Sequence, residues 1–504
     1  MRVLREQVSA VARRVALAPV VVTALLGVTA LLGVTALLDL GACGGAGGGV
    51  RLGGAGGATG QGGAGFGGSG PADVMVTVDV SERHQTLVGF GGAVAFYTNF
   101  LAPRTDDIFN VLFVDMGIDI LRVANWYQNQ SANGTTPDTG FTDSATVAIV
   151  QKATAAMGHR PKILMSSWSP PGYLKSNGVT KGTRGTLVRN AGAYDYAQFA
   201  DWWVRSIAAY SAQGVVPDYI SVQNEPDFFN SGWETCQLDT AEDATNAGYG
   251  RALDAVSAAI AGSTLSTRPK IIGPENSGAN NGVQRYLNNM TSASFDVVAH
   301  HLYNGGMAGN DPPPDSFATS MTNVATAASN AGGKPIFMTE FAPQSPSLFN
   351  TAWMIQDALT TEGVSAYIYW GLIWAPPASG AAPAGLVTIA GADPTSAYTI
   401  NDTYYAMKHF ARWTDPDWVR VGAASSVPEV RSSAFVSPDG ASLTVVLLNT
   451  DTADHVVSVG TGATFASTTV YRTSGATERA AAVPYAADAI ALPANSIATL
   501  VLTP

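Results

Sequence analysis

The chain has 504 residues, 46% of them hydrophobic, with ten Trp, 17 Tyr and 18 Phe, and a formal net charge of −11. This is ample for a large core in more than one domain. The acidity, with no basic block past the N-terminus, argues against nucleic acid as a partner, because its phosphates would be repelled. Cys43 and Cys236 lie in unlike contexts and make no disulfide framework, and no Cys/His cluster has zinc spacing. His300-His301 comes nearest, but neighbours on a strand point to opposite faces. A structural or hydrogen-bonding role is expected for the pair, and neither metal nor cofactor is expected anywhere.

Residues 1–43 read as an export signal. Arg2, Arg5, Arg13 and Arg14 precede an uncharged run, Val15–Leu38, in which Thr-Ala-Leu-Leu-Gly-Val occurs twice. The run is long for a cleaved signal and long enough to span a bilayer. Leu40-Gly41-Ala42-Cys43 resembles the lipobox of bacterial lipoproteins, which implies lipidation of Cys43; the other reading is a chance cysteine after a signal anchor. Either way the rest is expected outside the cytoplasmic membrane of a bacterium, secreted or on the cell surface, touching membrane only through the anchor. Residues 44–72 follow as a linker: 16 of the 27 residues from 44 to 70 are Gly, too little apolar surface to offset ordering.

From residue 73 the pattern changes. Val74, Val76, Val78 and Val80 alternate as one face of a half-buried strand. Eight apolar runs then alternate with helical stretches: Leu87–Val94, Ile118–Ala124, Lys162–Ser167, Tyr219–Gln223, Lys270–Pro274, Phe295–His301, Pro335–Glu340 and Ser365–Leu372. Asp195–Gln213, Ala241–Ala261, Asp315–Asn330 and Phe349–Glu362 are helix-compatible. Eight such alternations predict an α/β fold, a (β/α)8 TIM barrel, over residues 87–412. Past Trp413 only short alternating strands remain: Ser433–Val436, Leu443–Asn449, Val456–Val459, Ser467–Thr473 and Ser496–Leu502. They predict an antiparallel β-sandwich over 413–504, which residues 73–86 are placed to complete. A monomer is expected.

Two of the runs end on a carboxylate, in Val222-Gln223-Asn224-Glu225-Pro226 and in Met338-Thr339-Glu340-Phe341. Strand propensity disfavours Glu, and catalytic residues of a barrel sit where strands end. Two acids so placed, on the fourth and seventh strands, suit a proton donor and a nucleophile acting on a glycosidic bond. A lone Glu would more readily be a surface or salt-bridged residue.

Gly89-Phe90-Gly91-Gly92-Ala93, Ser167-Trp168-Ser169-Pro170-Pro171, Val222-Gln223-Asn224-Glu225-Pro226-Asp227 and Thr339-Glu340, in this order, resemble glycoside hydrolase family 30 of clan A, from about residue 74 to the C-terminus. The resemblance implies a barrel with a side-packed sandwich built from both chain ends, Glu225 as acid/base, Glu340 as nucleophile, and retention of configuration. At matching positions, Asn224 would bond the sugar 2-hydroxyl, Arg122 would keep Glu340 ionised, and Tyr303 would hydrogen-bond the same carboxylate. Trp168 and Trp370 would stack on sugars or wall the cleft, or simply pack in the core. Trp374, near Pro376 and Pro377, has the same two readings. Cys236 is expected buried.

Asn224–Phe229 with Trp233-Glu234-Thr235-Cys236 most resembles the xylanase branch. Many bacterial members bind a glucuronic acid side group through an arginine soon after the eighth strand. Here no arginine occurs between Tyr369 and Arg412, so strict dependence on that group is not expected. Endo-β-1,4-xylan is the first expected substrate. A β-1,6-glucan or a glucosylceramide-like substrate is the alternative, and an inactive carbohydrate-binding surface lipoprotein is the rival of another class.

Overall fold

The computed structural model describes residues 71–504, apart from 129–139, 183, 229–231, 233, 281, 304–312, 344–346, 376–384 and 486–487. The export signal, Cys43 and most of the Gly-rich linker therefore lie outside the described residues.

Gly89–Ala93, Ile120–Ala124, Lys162–Ser166, Tyr219–Ser221, Lys270–Asn276, Val297–His301, Ile336–Phe341 and Ala366–Tyr369 form a closed barrel in sequence order. All its pairings are parallel. These are the first to eighth barrel strands below. They read as unbroken apolar runs because both faces are buried. Ile120, Leu164, Tyr219, Ile272, Val297, Ala299, Phe337, Ala366 and Ile368 fill the interior, with Tyr219 edge-on to Phe337 at 5.1 Å between ring centres.

The first strand is glycine-rich because its neighbour is close. A Cβ on Gly91 would lie 2.5 Å from the Ile120 carbonyl oxygen and 2.8 Å from the Ile120 Cβ. Gly91→Ala is expected to lower stability by about 1–3 kcal/mol by overpacking. An unchanged thermal unfolding midpoint would overturn this.

Helices Tyr196–Ala212, Ala318–Asn330 and Leu348–Asp357 lie within predicted stretches or one residue outside them. The stretch at Ala241–Ala261 is helical only from Tyr249. Ahead of it the Asp243 carboxylate accepts from the amides of Thr245 and Asn246 at 2.6 and 2.7 Å, a side-chain turn that competes with helix.

The second unit is a nine-stranded sheet around its own apolar core. Val74–Thr86, from before the barrel, lies inside it. It pairs antiparallel with Val419–Ser425 and parallel with His455–Gly460, so one pairing departs from the expected antiparallel order. Val74, Val76 and Val78 point inward, but Val80 is 37% exposed because the register slips after Asp79, whose carboxylate binds the Ser81 amide at 2.8 Å. Phe435, Val446, Leu448 and Ile497 pack into the same core as the barrel's helices. This seats the sheet on the side of the barrel, as expected for the fold.

Candidate active site

The interior changes character toward the strands' carboxyl ends. Two residues on from Ile120, Leu164, Tyr219 and Ala299 come Arg122, Ser166, Ser221 and His301, all fully buried. Simple alternation would next bring Thr339 inward after Phe337. Instead the register slips by one: His300 lies opposite Met338, and His301 opposite Glu340. A slip of this kind re-aims a side chain, and here it aligns Glu340 with His301. Glu225 arrives differently. It lies four residues beyond Ser221, the last residue of its strand, with φ +43°. The amide of Asn224 is held by the Ser167 carbonyl at 2.7 Å, and that of Glu225 by the Glu275 carbonyl at 3.0 Å.

Arg122 organises the centre. Its Nη1 donates to Glu340 Oε2 at 2.6 Å and its Nη2 to Asn224 Oδ1 at 2.5 Å. The same Nη2 lies 3.0 Å from Glu275 Oε1, and Nε donates to Ser166 Oγ at 3.3 Å. The guanidinium carbon lies 4.4 Å from the centre of the Trp168 ring. His301 Nδ1 is 3.0 Å from Glu225 Oε1, and its Nε2 is 3.9 Å from both Glu275 Oε1 and Glu340 Oε2. His300 points the other way, to Glu362, as adjacent strand positions require.

Burial opposes charge throughout this cluster, and the neighbours decide each group. Burial alone would neutralise His301, but Glu340, Glu225 and Glu275 raise it to about 9, so it is an imidazolium at neutral pH. Burial pushes Glu275 up, yet Arg122 and His301 hold it at about 2. Burial raises the Glu340 carboxyl, against the pull of His301 and Arg122. Two fixed cations thus face three carboxyl groups. With all three ionised the cluster would carry one negative charge in excess, which a single proton balances.

Oxygens of Glu225 and Glu340 and a nitrogen of His301 lie within 4.8 Å of one another. A metal ion there would have to displace Arg122 from Glu340 and take the proton from His301, so the donor set suits proton chemistry better than a cation.

Trp168 is buried and Trp370 half-buried. Their ring centres are 6.0 Å apart, and Phe96 lies 5.9 Å and 6.0 Å from them. Trp126 lies 6.4 Å from Trp168 and extends this wall, which touches Arg122. Trp374 stands apart, against Tyr97 at 5.1 Å; Pro376, Pro377 and Trp233 fall outside the described residues. Tyr303 departs from expectation. No hydrogen bond joins it to Glu340 among the described residues; its ring stands edge-on to His301 at 6.0 Å and packs on Phe341 at 5.8 Å. Arg122 takes the Glu340 oxygen instead. Cys236 is a buried free thiol, raised to about 11 by burial. Glu275 and His301 are the members of this cluster that reading for strand-end carboxylates at Glu225 and Glu340 passes over. Ile-Ile-Gly-Pro-Glu275 carries the same sign, an apolar run ending on an acid.

A barrel whose carboxyl end gathers an acid pair, an arginine fork and an aromatic wall is the architecture of a glycoside hydrolase. Residues 125–249 match the glycosyl hydrolase family 30 TIM-barrel domain, 195–369 a glycosyl hydrolase catalytic core, and 419–500 the family 30 β-sandwich domain. The chain belongs to glycosyl hydrolase family 30. It is 28% identical to an endo-1,6-β-D-glucanase of Aspergillus fumigatus over 424 residues, 76% of this chain and 82% of that protein. It is 24% identical to a glucuronoxylanase of Bacillus subtilis over 394 residues, 71% and 75% of the two chains. Among solved structures, a family 30 subfamily 8 xylanase from Clostridium acetobutylicum superposes with a TM-score of 0.63 at 23% identity, covering 85% of this chain and 99% of that one.

Proposed function

We propose that this family 30 enzyme is a retaining hydrolase of a neutral β-linked polysaccharide, with Glu225 as acid/base and Glu340 as nucleophile. The observation that carries the reading is the carboxylate spacing. One oxygen of each lies within 4.8 Å of the other, which is compatible with the roughly 5–5.5 Å between the carboxyl groups of retaining enzymes. Glu340 sits on the Arg122 fork, which suits the nucleophile and leaves Glu225 to serve as proton donor. In the first step Glu340 attacks the anomeric carbon while Glu225 protonates the departing oxygen. In the second, Glu225 takes a proton from water, which displaces Glu340 and restores the original configuration. Asn224 turns its amide oxygen to Arg122, which leaves its NH2 for the sugar 2-hydroxyl.

Two substrates have support. Xylan is favoured by motif resemblance and by the likeness to a glucuronoxylanase; β-1,6-glucan by the likeness to a fungal glucanase, which covers more of both chains, and by the missing arginine after the eighth strand. Release of reducing ends from glucuronoxylan, unsubstituted xylan, pustulan (a β-1,6-glucan), laminarin and glucosylceramide separates them. We expect activity on unsubstituted xylan or pustulan, with products of mixed length. Binding with no release from any substrate would establish the inactive carbohydrate-binding alternative, and ceramide release alone the glycolipid one. We also propose export and tethering through Cys43; the mass of the mature N-terminus tests it.

A further inference from the structure

We propose that Glu275 is a positioning residue of this site, a buried third carboxylate that holds Arg122 in place and offsets the charge of Arg122 and His301, so that the Glu225–Glu340 pair retains its proton. The inference rests on the roles proposed above for those two glutamates.

The backbone goes out of its way to place Glu275. On the fifth strand Pro274 lies opposite Ala299 and Asn276 opposite His300, so Glu275 is the extra residue of a bulge. Its φ of +57° is left-handed, a strained conformation for a side chain other than glycine. Without the bulge, alternation would turn this carboxylate toward the helices. With it, Oε1 lies 3.0 Å from Arg122 Nη2, 3.2 Å from Ser166 Oγ and 3.9 Å from His301 Nε2.

Glu275 is completely buried, so it acts on substrate only through its neighbours. Its own carbonyl also receives the Glu225 amide, which ties the loop carrying the acid to the same bulge. The groups that face it are Arg122 of the second strand, Ser166 of the third, Ser221 of the fourth, His301 of the sixth, and Tyr249 on the helix side. Tyr249 is held neutral by burial, beside Glu275. Glu225 and Glu340 stand beyond His301 and Arg122. Arg122 and His301 are thus the cations in this set, and Glu275 is a carboxylate that they hold ionised. Among the described residues, neither Glu275 Oε2 nor His301 Nε2, both buried, has a hydrogen-bond partner, which leaves charge as the main link between them.

Removing that charge leaves two cations facing two carboxyl groups, and the cluster no longer needs the extra proton. Glu275→Gln in the full chain is therefore expected to move the alkaline limb of the kcat/KM–pH profile down by about one unit, and Glu275→Asp to restore it. A profile that keeps its limbs while kcat falls would mean a merely structural role and overturn the proposal. In the unaltered protein, 15N-histidine NMR should find His301 doubly protonated at pH 8. A neutral ring at pH 7 overturns the proposal even where the Gln variant fails to fold. Trapping with an activated 2-deoxy-2-fluoro glycoside keeps the two readings apart. Label on Glu340 with an unmoved profile defeats this inference alone; label on another residue defeats the assignment beneath it.

Discussion

Glu340→Gln is expected to lose nearly all turnover at every pH, with kcat down on the order of 10⁴–10⁶-fold, the range seen when a nucleophile acting within a concerted set is removed. The amide keeps the side chain's volume and still reaches Arg122, so the change falls on one property, the ability to form the glycosyl-enzyme bond. Changing pH gives no recovery, because no titration restores a carboxylate there. The loss should appear equally with activated aryl glycosides, since attack on the anomeric carbon is needed whatever the leaving group. Burst kinetics with a dinitrophenyl glycoside of the sugar identified in the substrate assay would check it. Near-normal rates in a folded variant would defeat the assignment.

Glu225→Gln is expected to behave differently because its role is divided between two steps. Proton transfer by a positioned group is worth roughly 10²–10⁴-fold, so hydrolysis of the natural polymer should fall by about that much. With a good leaving group the first step needs little protonation. The glycosyl-enzyme should then form at a near-normal rate and accumulate, because no base activates water. Azide needs no such base and should speed turnover, giving a glycosyl azide of retained configuration. An inverted azide product, or equal loss on all leaving groups without rescue, would place the acid/base elsewhere.

The contrast between the two variants also explains what was legible in the chain. A strand buried on both faces has to be a continuous apolar run, so all eight barrel strands stand out. Glu225 and Glu340 stand out because carboxylates interrupt such runs at their ends. The two edge strands of the second sheet, Glu478–Val483 and Ala489–Leu492, do not. They are rich in alanine, and an edge strand needs less apolar surface to hold its place. The register slips that bring Glu275 and Glu340 inward leave no mark in a pattern of period two, since a bulge is a property of the pair of strands. Tyr303 shows the converse. Its place after the sixth strand is readable, but its ring orientation is settled by packing against His301 and Phe341.

The position of Val74–Thr86 inside the second sheet bears on how the molecule comes to be assembled. This strand leaves the ribosome before any barrel strand, yet its partners, Val419–Ser425 and His455–Gly460, are synthesised more than 300 residues later. All the barrel's neighbours but the closing pair, the first and eighth strands, follow one another along the chain and can pair as they emerge, whereas the sheet must wait for the final segment and close a very long loop. During that interval Val74, Val76 and Val78 have no native cover. Truncating the chain after the barrel would make the wait permanent, so a shortened catalytic domain is better begun after Thr86 than at residue 71.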